Sequence, residues 1–188
     1  MTAVNDKTRC SVVALIGAPN AGKSTLVNAL TGAKISIVTH KVQTTRARIR
    51  GIATEGKAQL ILVDTPGIFA PKRRLDRAMV DAAWAGARDA DVTLLLIDAA
   101  RGIEGEARQI LEGLSKIAGP GYLVLNKVDL VRKEALLALV DTAAGIAELN
   151  GTFMISALTG DGVGDLKAQL ADSALPGPWL YPEDQISD

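Results

Sequence analysis

The residues of this chain best suited to binding a phosphate group lie in one glycine-rich octet. Residues 17–24 read Gly-Ala-Pro-Asn-Ala-Gly-Lys-Ser, which fits the pattern G-x-x-x-x-G-K-[ST]. In that pattern the glycines allow a tight turn whose backbone N–H groups point at phosphate oxygens. The lysine reaches the terminal phosphates, and the hydroxyl binds a magnesium ion. We therefore predict that Lys23 contacts phosphate and that Ser24 binds Mg²⁺.

A second motif suited to phosphate chemistry is Asp64-Thr-Pro-Gly, which directly follows an apolar run. A carboxylate at this place can bind magnesium through a water molecule, and the N–H of Gly67 can approach a terminal phosphate. Taken alone, the tetrapeptide is equally consistent with a simple Pro-Gly turn. Downstream of a phosphate-binding loop we favour the metal-site interpretation. Ile68 follows and has no hydrogen-bonding group with which to orient water.

The tetrapeptide Asn126-Lys-Val-Asp carries residues that could select the base of a nucleotide. A carboxylate at Asp129 can accept hydrogen bonds from both N1–H and the 2-amino group of guanine, two donors that adenine does not present together. Lys127 can lay its aliphatic stem along the purine ring, and Asn126 can connect neighbouring loops. Ser156-Ala157 would place a backbone N–H near the guanine carbonyl oxygen. The motif predicts a guanine-specific site.

The loop Gln43-Thr-Thr-Arg lies between the first predicted helix and the second predicted strand. A threonine hydroxyl there could complete the magnesium shell when a terminal phosphate is bound, so that the loop would sense the nucleotide. The alternative is a threonine-rich connection without chemistry. The neighbouring motifs favour the sensor interpretation.

These motifs require a framework that brings them together, and the sequence predicts an alternation of strands and helices. The predicted strands are 11–17, 46–53, 58–64, 91–98, 122–126 and 152–156. The predicted helices are 23–30, 75–88, 104–117, 133–149 and 163–171. Glu55-Gly56 predicts an antiparallel hairpin, and continuous apolar strands indicate a sheet covered on both faces. Because each motif follows a strand, all of them should meet at one edge of the sheet.

Composition limits the class of protein. Hydrophobic residues make up 48% of the 188 residues, which is enough for a full core, and only 3% are aromatic, so aliphatic side chains must fill that core. Lys plus Arg and Asp plus Glu number 21 each, which argues against a domain that mainly neutralises a nucleic-acid backbone. The single cysteine, Cys10, suits a reducing compartment. Without a signal peptide or an apolar run of membrane-spanning length, the chain is predicted to be soluble and cytoplasmic.

The set of motifs resembles the GTP-binding signatures of the translation-factor-related P-loop GTPases. Within that class, the stretches Lys34–Val38, Gln43–Ile49, Asp64–Lys72 and Tyr181–Asp188 resemble the Era-type GTPases of bacterial ribosome assembly. Ala21 departs from the valine usual in that family. The resemblance covers nearly the whole chain. It implies an α/β fold of the Ras-like, three-layer type: a six-stranded, mostly parallel sheet with one antiparallel edge hairpin and helices on both faces.

The resemblance also implies roles for individual residues. The implied nucleotide-binding residues are Gly17, Ala18, Pro19, Asn20, Ala21, Gly22, Lys23, Ser24, Thr25, Asp64, Thr65, Pro66, Gly67, Ile68, Asn126, Lys127, Val128, Asp129, Ser156 and Ala157. Lys23, Thr45 and Gly67 are implied to be catalytic. Ser24 and Thr45 are the implied magnesium ligands, with Asp64 acting through water. Thr45 is chosen because the residue directly before the arginine, here Arg46, binds the metal in similar GTPases. Asn20 is implied to bind potassium, or else to form a local hydrogen bond.

The family mechanism is in-line attack of water on the γ-phosphate of GTP, and the apolar Ile68 predicts slow turnover, on the order of 10⁻⁴ to 10⁻² per second. The implied partners are GTP, GDP, the 30S ribosomal subunit and its 16S rRNA, with some association at the inner face of the cell membrane. Residues 1–9 are predicted as a polar segment and 10–175 as the GTPase domain. Residues 176–188 are predicted as a Pro-rich linker toward a KH-type RNA-binding domain that this chain does not contain.

Three alternatives stay open at the level of sequence. One is a related GTPase of tRNA modification or large-subunit assembly, which the Era-like tail disfavours. Another is a P-loop kinase or ATPase, which Asp129 opposes. The third is a module that binds GTP with negligible turnover, which the apolar side chain of Ile68 keeps open.

Overall fold

The computed structural model describes residues 7–32, 48–64, 81, 84–85, 87–117 and 119–183, although not the side chains of Arg48 and Asp64. Within these ranges the chain forms one six-stranded sheet in the order β2-β3-β1-β4-β5-β6. The strands are β1 (Arg9–Gly17), β2 (Arg48–Glu55), β3 (Ala58–Asp64), β4 (Val92–Asp98), β5 (Gly121–Asn126) and β6 (Gly151–Met154). Every pairing is parallel except that of β2 with β3, which is antiparallel.

Helices cover both faces of this sheet. They are α1 (Lys23–Thr31), α2 (Gly105–Leu114), α3 (Lys133–Ile146) and α4 (Val163–Asp172), with a short 3₁₀ helix at Val128–Leu130. Residues 84, 85 and 87–89 are also helical. Trp84 of that stretch packs in the cluster that α2 and α3 cover. The fold class is therefore the one predicted.

The alternation of side chains along the central strands divides the core into two clusters. Val13 and Leu15 of β1 face the cluster that contains α1 and α4, whereas Ala14 and Ile16 face the cluster that contains α2 and α3. All four side chains are fully buried. A strand buried on both faces needs mostly apolar residues, which is why Val13–Ile16 of β1 and Leu94–Ile97 of β4 are continuous apolar runs in the sequence.

The predicted element boundaries were close, with a few corrections. β6 ends at Met154, so Ser156 lies in the following loop. The helix predicted to reach residue 117 ends at Leu114, and the one predicted to reach 149 ends at Ile146. The strand pairing of β2 shifts register between Ile49 and Gly51.

The residues after α4 lie against the domain as an extended segment. Pro176 bridges Arg9 in antiparallel fashion, and the N–H of Cys10 donates to the carbonyl of Leu175 at 2.9 Å. Farther along, the buried side chain of Gln59 on β3 bonds the backbone of Leu180 and Tyr181. The linker predicted for residues 176–188 stays a prediction, but its first residues pack against β1 and β3.

Candidate functional site

The octet 17–24 forms a tight turn between the end of β1 and the start of α1. Gly22 caps the helix in the left-handed region with φ +103°, and Asn20 is also left-handed with φ +68°. The first turn of an α-helix leaves its N–H groups without intrahelical acceptors, and such groups bind anions. The Lys23 side chain is buried, and its ammonium donates to the carbonyls of Gly17 and Ala18 at 3.1 and 3.2 Å. The loop thus folds around a positive charge.

Two glycines of the octet are required by close packing. A Cβ atom on Gly17 would lie 2.7 Å from the carbonyl oxygen of Leu96 on β4. A Cβ atom on Gly22 would collide with Nδ2 of Asn126, and its positive φ would strain any other residue. The glycine pattern therefore fits the loop against the next strand as well as allowing the turn.

Asn126 connects three segments at the carboxyl edge of the sheet. It is the last residue of β5 and is 2% exposed. Its Nδ2 donates to the carbonyl of Ala21 at 2.9 Å. Its Oδ1 accepts from the N–H of Lys127 at 2.9 Å and from the N–H of Ala157 at 3.0 Å. One buried amide thereby holds together three segments: the octet 17–24, called the phosphate loop below, the Asn126–Asp129 motif and the loop that contains Ser156.

Lys127 forms a second connection between the same loops. Its backbone is left-handed, and its ammonium donates to the carbonyl of Asn20 at 3.0 Å and to Oδ2 of Asp98 at 2.9 Å. Burial alone would raise the pKa of Asp98, but the hydrogen bond from Lys127 and the backbone N–H groups of Ala100 and Arg101 outweigh it, so the pKa is lowered. Asp98 is therefore an anion paired with a cation of the motif.

The residues predicted to contact the base lie around this connection. Asp129 is exposed in the 3₁₀ helix Val128–Leu130. The N–H of Ser156 donates to the carbonyl of Asp161 at 2.9 Å. Because the N–H of Ala157 is bonded to Asn126, both N–H groups of Ser156-Ala157 have protein acceptors. Their predicted contact with a guanine oxygen stays a prediction.

The metal-binding prediction is described in part. Ser24 is exposed at the start of α1, as a ligand from this loop must be. The backbone of Asp64 ends β3 and pairs with Leu15, while its side chain, together with Thr45 and residues 65–68, lies outside the described residues. Among the residues that the structure describes, no three His, Cys, Asp or Glu side chains cluster closely enough to hold a metal.

Sequence reasoning overlooked Asp98, although the signal was present. The same criterion that selected Asp64 and Asn126, a polar residue at the end of a buried strand, applies to the last residue of β4. The register of the sheet places Asp98 directly beside Asn126. The sequence indicates only that Asp98 ends a strand. Its pairing with the Lys127 ammonium depends on the conformation of Lys127, which the sequence does not reveal.

The chain is similar in sequence and in structure to known proteins. GTPase Era of Rhizobium meliloti (strain 1021) is 64% identical over 181 residues, which are 96% of this chain and 58% of that protein. A crystal structure of Era in complex with MgGDPNP and nucleotides 1506-1542 of 16S ribosomal RNA matches with a TM-score of 0.80 and 37% identity, over 94% of this chain and 61% of the other.

An Aquifex aeolicus Era variant bound to GDP and aluminium fluoride also matches with a TM-score of 0.80 and 37% identity, over 96% of this chain and 62% of the other. The chain thus spans less than two thirds of the length of these relatives. The family model described as 50S ribosome-binding GTPase matches residues 12–127, which is more than half of the chain. By this match and by the loop geometry above, the chain belongs to the family of 50S ribosome-binding GTPases.

Proposed function

We propose that this chain binds GTP and GDP with Mg²⁺ and hydrolyses GTP to GDP and phosphate. The observation that carries the proposal is the buried amide of Asn126, which bonds the phosphate loop at Ala21 and the loop at Ala157. This amide sets the phosphate-binding and base-reading segments side by side at one edge of the sheet. A single nucleotide can then contact both, as ligands do at the carboxyl ends of parallel strands.

Each proposed contact follows from the chemistry of the residue. Lys23 is held at the loop carbonyls of Gly17 and Ala18, from which its ammonium can turn to β- and γ-phosphate oxygens. Asp129 is exposed, so its carboxylate is available to accept N1–H and the 2-amino group of guanine. An adenine base would leave that carboxylate without its donors, which is the basis of strong selectivity.

Ser24 and Thr45 would hold the magnesium ion, with Asp64 binding through water. Oxygen ligands of this kind suit Mg²⁺, which keeps several waters and one or two protein ligands at phosphate sites. When bound, the ion offsets negative charge on the phosphate oxygens. For their part, Thr45 and the N–H of Gly67 would contact the γ-phosphate side and place the attacking water, since Ile68 cannot orient it.

A potassium ion at Asn20 is part of the proposal. Asn20 is exposed and left-handed, and its carbonyl accepts from Lys127, so its side chain is not needed to close the loop. A monovalent cation there would supply the positive charge that an arginine finger gives other GTPases. Without such help, turnover should be slow.

Hydrolysis is tested by phosphate release from GTP with Mg²⁺ in potassium chloride and in sodium chloride at equal ionic strength. We expect measurable release in potassium and a rate severalfold lower in sodium, because the two ions differ in size and hydration. The Asn20→Ala variant is expected to lose the difference between the salts. Equal wild-type rates would reject the potassium role, and no release in either salt would favour a GTP-binding module without turnover.

For the whole protein we propose a role in small-subunit ribosome assembly with 16S rRNA as partner. Support comes from the Era structure that contains a 16S fragment and from the high identity to GTPase Era of Rhizobium meliloti. The family description names the large subunit instead, so a pull-down with separated 30S and 50S subunits decides between them. Cytoplasmic location and membrane-surface association stay predictions. Within the described ranges, every helix falls short of the length and apolarity needed to cross a bilayer.

A further inference from the structure

Asp98 lies beside the proposed nucleotide site and pairs with one of its residues, Lys127. It ends β4, next to Asn126 at the end of β5, and its side chain is 13% exposed. Its two oxygens have different tasks. Oδ1 accepts the N–H of Ala100 at 2.9 Å and fixes the turn after β4, whereas Oδ2 accepts the ammonium of Lys127 at 2.9 Å.

The ion pair joins two loops that are distant in sequence. Besides Asp98, the Lys127 ammonium donates to the carbonyl of Asn20 in the phosphate loop at 3.0 Å. A long lysine side chain loses much of its rotamer entropy when it is ordered. A single backbone carbonyl is a weak anchor against that loss. A second, charged acceptor favours the extended side-chain conformation of Lys127 in which the ammonium reaches Asn20.

The other cation near Asp98 cannot replace Lys127. Nε of Arg101 lies 3.9 Å from Oδ2, and the Arg101 side chain is 75% exposed. An exposed pair at that distance contributes little. The shorter contact, to the less exposed Lys127, therefore accounts for most of the pairing of this carboxylate.

We propose that Asp98 is a positioning residue that holds the Lys127 ammonium on the phosphate loop and thereby slows nucleotide release. This inference rests on the proposed function, because Lys127 matters only if a purine lies along its stem. With Asp98 in place, the stem of Lys127 is stretched between β5 and Asn20 before nucleotide arrives. Without it, Lys127 loses its charged acceptor, while the hydrogen bond from Asn126 to Ala21 still joins the two segments.

The test is the release rate of a fluorescent GDP analogue from the 188-residue chain. Asp98→Asn is the informative variant, because the amide oxygen can still accept the N–H of Ala100 while its NH₂ group faces the lysine ammonium. We expect release to be about tenfold faster or more, since hydrogen bonds to charged groups are among the strong ones. Arg101→Ala is the matched control and should release at the wild-type rate.

A double-mutant cycle separates positioning from a general structural effect. In a Lys127→Met background, Asp98→Asn should add almost nothing to the release rate. If it accelerates release equally in both backgrounds, or leaves the wild-type rate unchanged, the inference is overturned while the proposed function stands. If the wild-type chain does not bind guanine nucleotides at all, the proposed function itself fails.

A second measurement does not depend on the folding of Asp98→Asn. In the wild-type chain bound to GDP, the ammonium of Lys127 should give a slowly exchanging NMR signal, identified by its loss in Lys127→Met. A lysine ammonium held by a carboxylate and a carbonyl exchanges protons with water more slowly than an exposed one. A Lys127 ammonium that exchanges as fast as that of the exposed Lys133 would overturn the inference.

Discussion

At the scale of residues, the site depends on the close approach of the Gly22 backbone to the side-chain amide of Asn126. The left-handed Gly22 lets Nδ2 of Asn126 reach the carbonyl of Ala21. The glycine consensus and the Asn126 motif are thus two halves of one contact, although they lie far apart in sequence. Sequence alone could supply both halves, because each has a recognisable pattern, but it could not supply the contact.

We expect Gly22→Ala to destabilise the chain and to weaken nucleotide binding. A non-glycine residue held at positive φ costs about 1–3 kcal/mol, and the added methyl group displaces the Asn126 side chain. Gly164→Ala in α4 is the control, since open space surrounds its Cβ position, and it should stabilise by about 0.5–1 kcal/mol. Urea unfolding of both variants checks this. Equal midpoints would show that the turn tolerates a side chain.

At the scale of elements, the segment after α4 is held against β1 by the bridge from Pro176 to Arg9 and against β3 by the side chain of Gln59. The amide of Gln59 is fully buried and makes three hydrogen bonds to backbone atoms of Leu180 and Tyr181. Nε1 of Trp179 donates to the carbonyl of Lys57 at 2.8 Å. The Pro-rich composition predicted a linker, and that assignment stays a prediction for this segment. Its docking could not be predicted, because one glutamine among apolar residues of β3 carries no recognisable motif.

Gln59→Ala should release this segment. The substitution leaves two N–H groups and one carbonyl without their partner, and we expect a loss of about 2–4 kcal/mol in the free energy of unfolding. Chymotrypsin cleavage after Trp179, whose Nε1 bonds the carbonyl of Lys57 in the wild-type chain, should become rapid. Gln109→Ala on the exposed side of α2 is the control and should change stability by less than about 0.5 kcal/mol. Unchanged cleavage would mean that Gln59 does not anchor the segment.

The packing of the segment after α4 against β1 and β3 should weaken at alkaline pH. Burial raises the pKa of the Cys10 thiol, with the charge of Asp91 adding to the effect, and burial followed by the nearby Cys10 raises the pKa of Tyr181. Both groups are acids that ionise more easily in the unfolded chain. Their contribution to stability is therefore complete below their ordinary pKa values, roughly 8.5 for cysteine and 10 for tyrosine, and is lost as pH rises toward the folded values.

Urea midpoints measured at pH 7.5 and at pH 10 should fall with rising pH. A Cys10→Ala variant should lose part of this dependence, because one of the two acids is removed. A midpoint that rises between these pH values, or a Cys10→Ala variant with the full dependence, would contradict this account of the segment.

At the scale of the whole molecule, the sheet explains why the fold could be predicted from the sequence and the side-chain contacts between loops could not. Two-sided burial of β1 and β4 favours apolar runs, and the Glu55-Gly56 turn marks the antiparallel pair of the described sheet, so the mostly parallel sheet with its edge hairpin could be inferred, although the strand order was not. The pairing of Asp98 with Lys127 depends on a left-handed backbone at Lys127, which no local preference predicts. Thr45 and residues 65–68 lie outside the described residues, so their roles stay predictions.

The central claim is that Asp129 selects guanine while the loop around Lys23 binds the phosphates. Calorimetric titration of the chain with GDP and with ADP in Mg²⁺ tests it most directly, with Asp129→Asn measured in parallel. We expect GDP to bind at least about a hundredfold more tightly than ADP, because adenine leaves the carboxylate without donors. The variant should lose most of that preference. Equal affinity of the wild-type chain for the two nucleotides, or no heat with either, would contradict the account.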